Sequence, residues 1–131
     1  MSWSVAFCDE FDAEFQELVE SLQNELLAHA LLLREFGPNL VRPTVDTLKG
    51  SKYTNMKELR FNWEGEVWRV AFAFDPERQA ILLAGGDKAR AGQRRFYKRL
   101  IGIADERYCK HLLGLSASQR GEKGRQNGKK T

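Results

Sequence analysis

Between Asn55 and Lys88 apolar and polar residues alternate in three runs separated by two turn signals, a pattern that predicts a three-stranded meander. Glu64-Gly65 reads as a two-residue turn, which pairs Trp63 with Glu66 and sets every later pair in antiparallel register. Phe61 then opposes Trp68, Leu59 opposes Val70, and Arg60 opposes Arg69. Leu59, Phe61 and Trp63 share a face with Trp68, Val70, Phe72 and Phe74, so that face is the expected core. The other face carries Arg60 and Arg69, backed by small Ala71 and Ala73. Like charges directly opposite each other destabilise a sheet unless something anionic compensates them. Either a neighbouring acid, Glu58 or Glu66, or an external anion meets that requirement.

After Asp75-Pro76 the apolar run Ala80 to Ala84 suits a strand covered on both faces, and Gly85-Gly86 follows it. The GxxxxGK[ST] phosphate loop is missing, so these glycines let the strand end bend or let a ligand approach closely. Upstream, Trp3 to Cys8 predicts a short strand, and Asp9 is placed to cap a helix beginning at Glu10. Its apolar side is Phe11, Phe15, Leu18, Val19 and Leu22. Ser21 is the expected cap of a second helix, Leu22 to Phe36, stopped by Gly37-Pro38. Asn39 to Thr54 is a connector with a basic loop, Lys49 and Lys52 around Gly50.

A last helix is expected from Gln93 to Leu113, with Phe96, Leu100, Ile103, Ala104, Tyr108 and Leu112 on its apolar side. Arg94, Arg95, Lys98 and Arg99 crowd its first two turns, where cations oppose the helix dipole. An anionic partner explains that placement, and an ordinary basic surface is the alternative. Residues 114–131 are rich in Gly, Ser, Lys, Arg and Gln, hold one leucine, and are expected to be a disordered basic tail.

Composition narrows the class. A chain of 131 residues, 42% hydrophobic and 30% charged, is a single soluble globular domain. No apolar stretch approaches the roughly 20 residues of a membrane span, and the N-terminus lacks a signal-peptide plan, so the expectation is a cytoplasmic protein without membrane contact. Cys8 and Cys109 form no metal-ligand spacing with His29 or His111, and no metal or cofactor is expected. Charge is uneven along the chain: −7 over residues 1–37, +6 over residues 38–113 and +4 over the remainder. Such polarity gives a molecule one anion-seeking side.

The segments LKGSKYTNMKELRF, WRVAFAFD, ILLAGGDK and FYKRLI, in that order, closely resemble the HigB-like branch of the RelE/ParE toxin superfamily. The resemblance covers about residues 3 to 113. It implies an α+β, RelE-like fold: an antiparallel sheet of about four strands packed on an N-terminal helical hairpin, with a C-terminal helix. It implies the toxin of a type II toxin–antitoxin pair, a metal-independent mRNA endonuclease acting on the ribosome and neutralised by a helix-turn-helix antitoxin. The fold also serves ParE-like inhibitors of DNA gyrase, which are not enzymes, and an inactive homologue acting as a binding module is a third reading. By matching segments, the site residues are Arg60 with Lys57, Arg69, Lys88 and Tyr97. Lys49, Lys52, Arg90, Arg94, Arg95 and Lys98 are the expected RNA-binding cations. Where several family members carry a histidine, this meander has none.

Overall fold

The computed structural model describes residues 3–129. Alternating residues extend three strands, β3 (Met56–Trp63), β4 (Glu66–Phe74) and β5 (Gln79–Asp87). Glu64 and Gly65 both take positive φ, 44° and 81°, the backbone of a tight hairpin turn whose twist matches the strands it joins. The register is the one expected, with Trp63 opposite Glu66 and Arg60 opposite Arg69. At the other end, Asp75 Oδ1 accepts hydrogen bonds from the amides of Glu77 and Gln79, both 2.9 Å, and so closes the β4–β5 turn.

Two further strands complete a five-stranded sheet of order β1-β5-β4-β3-β2. The expected sheet of about four antiparallel strands is corrected in two respects. The N-terminal strand β1 (Ser4–Phe7) lies parallel to β5, and the connector supplies a three-residue strand, β2 (Val45–Thr47), beside β3. Three residues following a proline are too few to show alternation, and whether an edge strand runs parallel depends on where the intervening helices return the chain.

Those helices are α1 (Asp9–Gln16) and α2 (Glu20–Phe36). Their caps are Cys8 and Val19 rather than Asp9 and Ser21, which fall inside the helices, and neither cap makes a side-chain hydrogen bond. Packing of the apolar stripe onto the sheet outweighs a capping bond of about 1 kcal/mol in setting where each helix begins. Phe11, Phe15, Leu22, Leu26 and Leu33 from the hairpin bury against Leu59, Phe61, Val70, Phe72 and Leu82. His29 is stacked on Phe61 and its Nδ1 lies 2.9 Å from the Glu25 carbonyl, a packing residue of the helix.

The opposite face is not open along its length. The last helix, α3 (Gln93–Lys129), lays Leu100, Ala104 and Tyr108 on Ala71, Ala73, Ile81 and Leu83 and makes a second core. Arg107 fixes α3 to α1 by two bonds to Glu14, 3.0 and 2.6 Å, and a third to the Leu83 carbonyl at 2.8 Å. The helix runs past its expected end at Leu113, because Gly114 acts as a helix residue and no proline follows. The expected disordered tail thus overlaps α3, and its last two residues lie outside the described ones. Among the described residues no helix is long and apolar enough to cross a membrane.

The two glycines near the end of β5 are required by packing. A Cβ on Gly85 would lie 3.2 Å from both Phe11 and Val70, and one on Gly86 would lie 3.3 Å from Phe96. Gly85 therefore seats α1 and Gly86 seats the start of α3. Overpacking at such a contact typically costs about 1–3 kcal/mol, so Gly85→Val should lower the urea midpoint by a corresponding amount. An unchanged midpoint would contradict this packing account.

Candidate active site

Strand parity brings the candidate residues to one place. Glu58 and Arg60 on β3 and Arg69 on β4 face the α3 side of the sheet, and α3 contributes Tyr97 one turn before it meets the second core. Lys88 follows β5 in a short 3-10 turn whose Ala89 amide donates to Asp87 Oδ1. Its arrival depends on a β-bulge. Ala71 pairs with Ala84 but Phe72 with Leu82, so Leu83 is an extra residue and the alternation of β5 flips beyond it. Ile81 and Leu83 face α3 before the bulge, while Ala84 and Gly86 face it afterwards. The shift puts Lys88 on the arginine side.

Glu58 is the centre of the cluster. It is a carboxylate only 7% exposed, accepts a hydrogen bond from the Tyr97 hydroxyl at 2.7 Å, and stands 3.6 Å from Arg69 Nε. Arg69, 6% exposed, also donates from Nη1 to the Trp68 carbonyl at 2.9 Å. Neither Arg60 Nε nor Arg69 Nε has a hydrogen-bond partner, although both atoms are buried. Buried donors of this kind are rare in folded proteins, and a charged pair with one counter-ion leaves an excess of positive charge. Of the two compensations considered from sequence, Glu58 answers for Arg69. Glu66 is occupied elsewhere, accepting from Trp68 Nε1 at 2.7 Å.

The titrating groups reflect this crowding. Burial, followed by the charges of Arg69 and Arg60, holds the Lys88 ammonium below the usual lysine range, with Glu58 acting in the opposite sense. Lys88 Nζ lies 5.9 Å from the centre of the Tyr97 ring. Burial and then the bond to Glu58 hold the Tyr97 phenol above its ordinary range, while Arg69 works against both. Tyr97 accordingly keeps its proton at neutral pH.

The remaining candidates fall into three groups. Lys57 stands opposite Phe72, on the α1–α2 side of the sheet, and its Nζ donates to Thr47 Oγ1 at 3.4 Å. Parity separates it from the cluster. Lys49 and Lys52 are exposed on a loop anchored to α3: Ser51 Oγ donates to Asp105 at 2.5 Å, the Lys52 amide donates to Asp105 at 3.1 Å, and Gly50 lies against Ile101. Arg94 and Lys98 fall at helical spacing on the same side of α3 as Ile101 and Asp105, so these four cations flank Tyr97 together. Arg90 and Arg95, with Arg99, instead line a groove between α3 and α1 on the far side of the helix.

Sequence reasoning weighed Glu58 only as a counter-ion for the arginines and missed its bond to Tyr97. Its parity with Arg60 was the available signal, since residues two apart on a strand share a face.

A model of the family described as "Phage derived protein Gp49-like (DUF891)" matches residues 13–109. Over 109 residues the chain is 45% identical to a Mycobacterium tuberculosis protein named "Putative toxin HigB2", an alignment covering 82% of this chain and 50% of that one. Over 76 residues it is 54% identical to "Putative toxin HigB3" of the same organism, covering 58% of this chain and 64% of that one. The chain thus spans about half to two thirds of the length of these relatives. Its fold is similar to that of a mutant of the E. coli toxin RelE in the free state, with a TM-score of 0.57 at 12% identity, over 82% of this chain and 98% of the other. The family match covers most of the chain: this chain belongs to the phage-derived Gp49-like family, with similarity to proteins named as HigB toxins and a fold shared with RelE.

Proposed function

We propose that the chain is the toxin of a type II toxin–antitoxin pair, an endonuclease that cleaves mRNA on the ribosome in the cytoplasm and is silenced by a helix-turn-helix antitoxin. The observation that carries this reading is the facing pair Arg60 and Arg69, each with a buried Nε lacking a hydrogen-bond partner. A phosphodiester placed over the pair supplies acceptors for both guanidinium groups and relieves their repulsion. Kinship with proteins named as toxins supports the biological role.

Cleavage of this type needs the 2′-hydroxyl deprotonated, the charge of the pentacoordinate phosphate stabilised and the 5′-oxygen protonated. Arg60 and Arg69 hold the phosphate and stabilise the developing charge with donors fixed in advance. Since cations supply that charge, the proposed reaction uses no metal. Lys88 is the general base, because its depressed pKa leaves a larger neutral fraction near physiological pH than an ordinary lysine has. Tyr97 retains its proton and is the donor for the leaving 5′-oxygen, turning from Glu58 to give it. Glu58, an anion already engaged by Arg69 and Tyr97, is a positioning residue that orients both. Lys49, Lys52, Arg94 and Lys98 extend the phosphate track along one side of Tyr97, and Lys57 has no catalytic part.

One observation favours a second reading. Because Glu58 already pairs with Arg69, the chain is balanced enough to persist as a binding module without catalysis.

Three measurements test these assignments. Arg60→Ala should lower transcript cleavage by about 100- to 1000-fold, as the loss of one oriented donor does elsewhere, with little change in stability because Arg60 is half-exposed. Arg69→Ala should abolish growth arrest as well, and parent-like arrest and primer-extension stops in both variants would overturn the phosphate site. Intact transcripts with DNA-damage signalling would instead identify a gyrase inhibitor.

Phosphate binding should raise the depressed Lys88 pKa, so binding takes up a proton wherever free Lys88 is neutral. Affinity for a 2′-deoxy RNA analogue should therefore fall as pH rises through that depressed value. Lys88→Arg should remove this alkaline decline, since arginine stays charged, and should also reduce cleavage by removing the base. A decline that persists in Lys88→Arg would exclude Lys88 as its source.

A further inference from the structure

The arginine pair and Lys88 set an anion cradle beside a primary amine, and the proposed cleavage uses that amine only as a base. Arg60 and Arg69 face each other with both Nε atoms buried and without hydrogen-bond partners, while Glu58 is already engaged by Arg69 and Tyr97. The cradle therefore has donors to spare for a phosphate. The β5 bulge delivers Lys88 to the same side of the sheet. Among the described residues no hydrogen bond or ion pair holds its Nζ, which lies 5.9 Å from the centre of the Tyr97 ring. Lys57 and Lys110, by contrast, are tied to Thr47 and Glu10.

An amine placed among cations is a nucleophile as well as a base. Burial and the two arginines hold the Lys88 ammonium below the usual range, so more of it is neutral, with a free lone pair, than of an ordinary exposed lysine. The cradle adds selection. A reagent that joins a phosphate to an electrophilic carbon is held by its phosphate at Arg60 and Arg69, with the carbon beside Lys88. Acyl phosphates have that composition, since the carbonyl carbon adjoins the phosphate and the phosphate is its leaving group.

We infer that Lys88 is an acylation site, modified by small acyl phosphates that dock their phosphate on Arg60 and Arg69. The Lys88 nitrogen attacks the carbonyl carbon, and the new C–N bond forms as the bond from that carbon to the bridging oxygen breaks. The electron pair of the broken bond leaves with inorganic phosphate, whose charge the guanidinium groups stabilise, and the proton shed by the nitrogen passes to that phosphate. The product is an amide, neutral and without basicity. This inference rests on the anion site of the endonuclease reading, and the modification silences that site by removing both its base and a charge beside the phosphate.

Incubating the purified full chain with acetyl phosphate and following each lysine by peptide mass spectrometry tests this. Lys88 should be acetylated at least about tenfold faster than the exposed Lys49, Lys52 and Lys98, as docking beside the amine predicts. Excess inorganic phosphate should slow Lys88 selectively by occupying the arginine pair. Arg60→Gln, a change at a half-exposed position, should do the same without affecting the other lysines. Acetic anhydride, which carries no phosphate, should show a smaller preference for Lys88 that Arg60→Gln leaves in place. Equal rates at all four lysines, or a Lys88 preference that is the same for both reagents, would overturn the inference. So would indifference of the unmutated chain to inorganic phosphate. None of these readouts uses RNA: selective acetylation of a chain that leaves transcripts intact would remove the endonuclease reading alone, and cleavage by a chain that shows no selective acetylation would remove this inference alone.

Discussion

The turn at Glu64-Gly65 is the constraint on which the candidate site depends. With two residues at positive φ joining β3 to β4, no other pairing is available without moving every side chain of one strand to the opposite face. That register buries Leu59, Phe61, Trp68 and Val70 together, and by the same parity it forces Arg60 against Arg69. The hydrophobic core and the charge cluster are therefore two sides of one decision. The burial of several large side chains, each worth about 1.5–3 kcal/mol, is ample to hold two arginines in opposition.

Glu58 shows how that opposition is tolerated in the resting protein. One carboxylate, shared between Arg69 and Tyr97, offsets part of the charge and ties β3 to α3. A buried pair of this kind contributes little net stability, because desolvation offsets most of the attraction, but removing one partner leaves an uncompensated charge. Its value lies in geometry. Arg69 is held by the Trp68 carbonyl and Glu58 together, and its position is set before any ligand arrives.

The last helix does more than cover the sheet. Its buried side, Leu100, Ala104 and Tyr108, fixes its rotation, and that rotation sorts its basic residues. Arg94 and Lys98 go with the anchored loop of Lys49 and Lys52, while Arg95 and Arg99 go to the groove beside α1. Asp105 on one side, holding Ser51 and Lys52, and Arg107 on the other, holding Glu14, keep the two surfaces apart. Cations that oppose the helix dipole are thus divided between two sides of the helix rather than gathered at one.

Period-2 alternation and one turn dipeptide were enough to determine the β3–β4 register, the main core face and the facing arginines, because these are local consequences of strand geometry. The helical hairpin was equally legible, since apolar spacing carries it, although its caps were misplaced where packing overrode capping preference. Three features needed the tertiary structure. The bulge at Leu83 places Lys88 on the arginine side, and nothing in AILLAGGDK marks which residue is left unpaired. The parallel pairing of β1 and the short β2 depend on contacts between distant segments. The bond between Tyr97 and Glu58 spans 39 positions and arises because Gly86 lets Phe96, and with it the start of α3, close onto the sheet. Sequence determined which charges share a strand face; only the packing of β5 and α3 decided which of them meet.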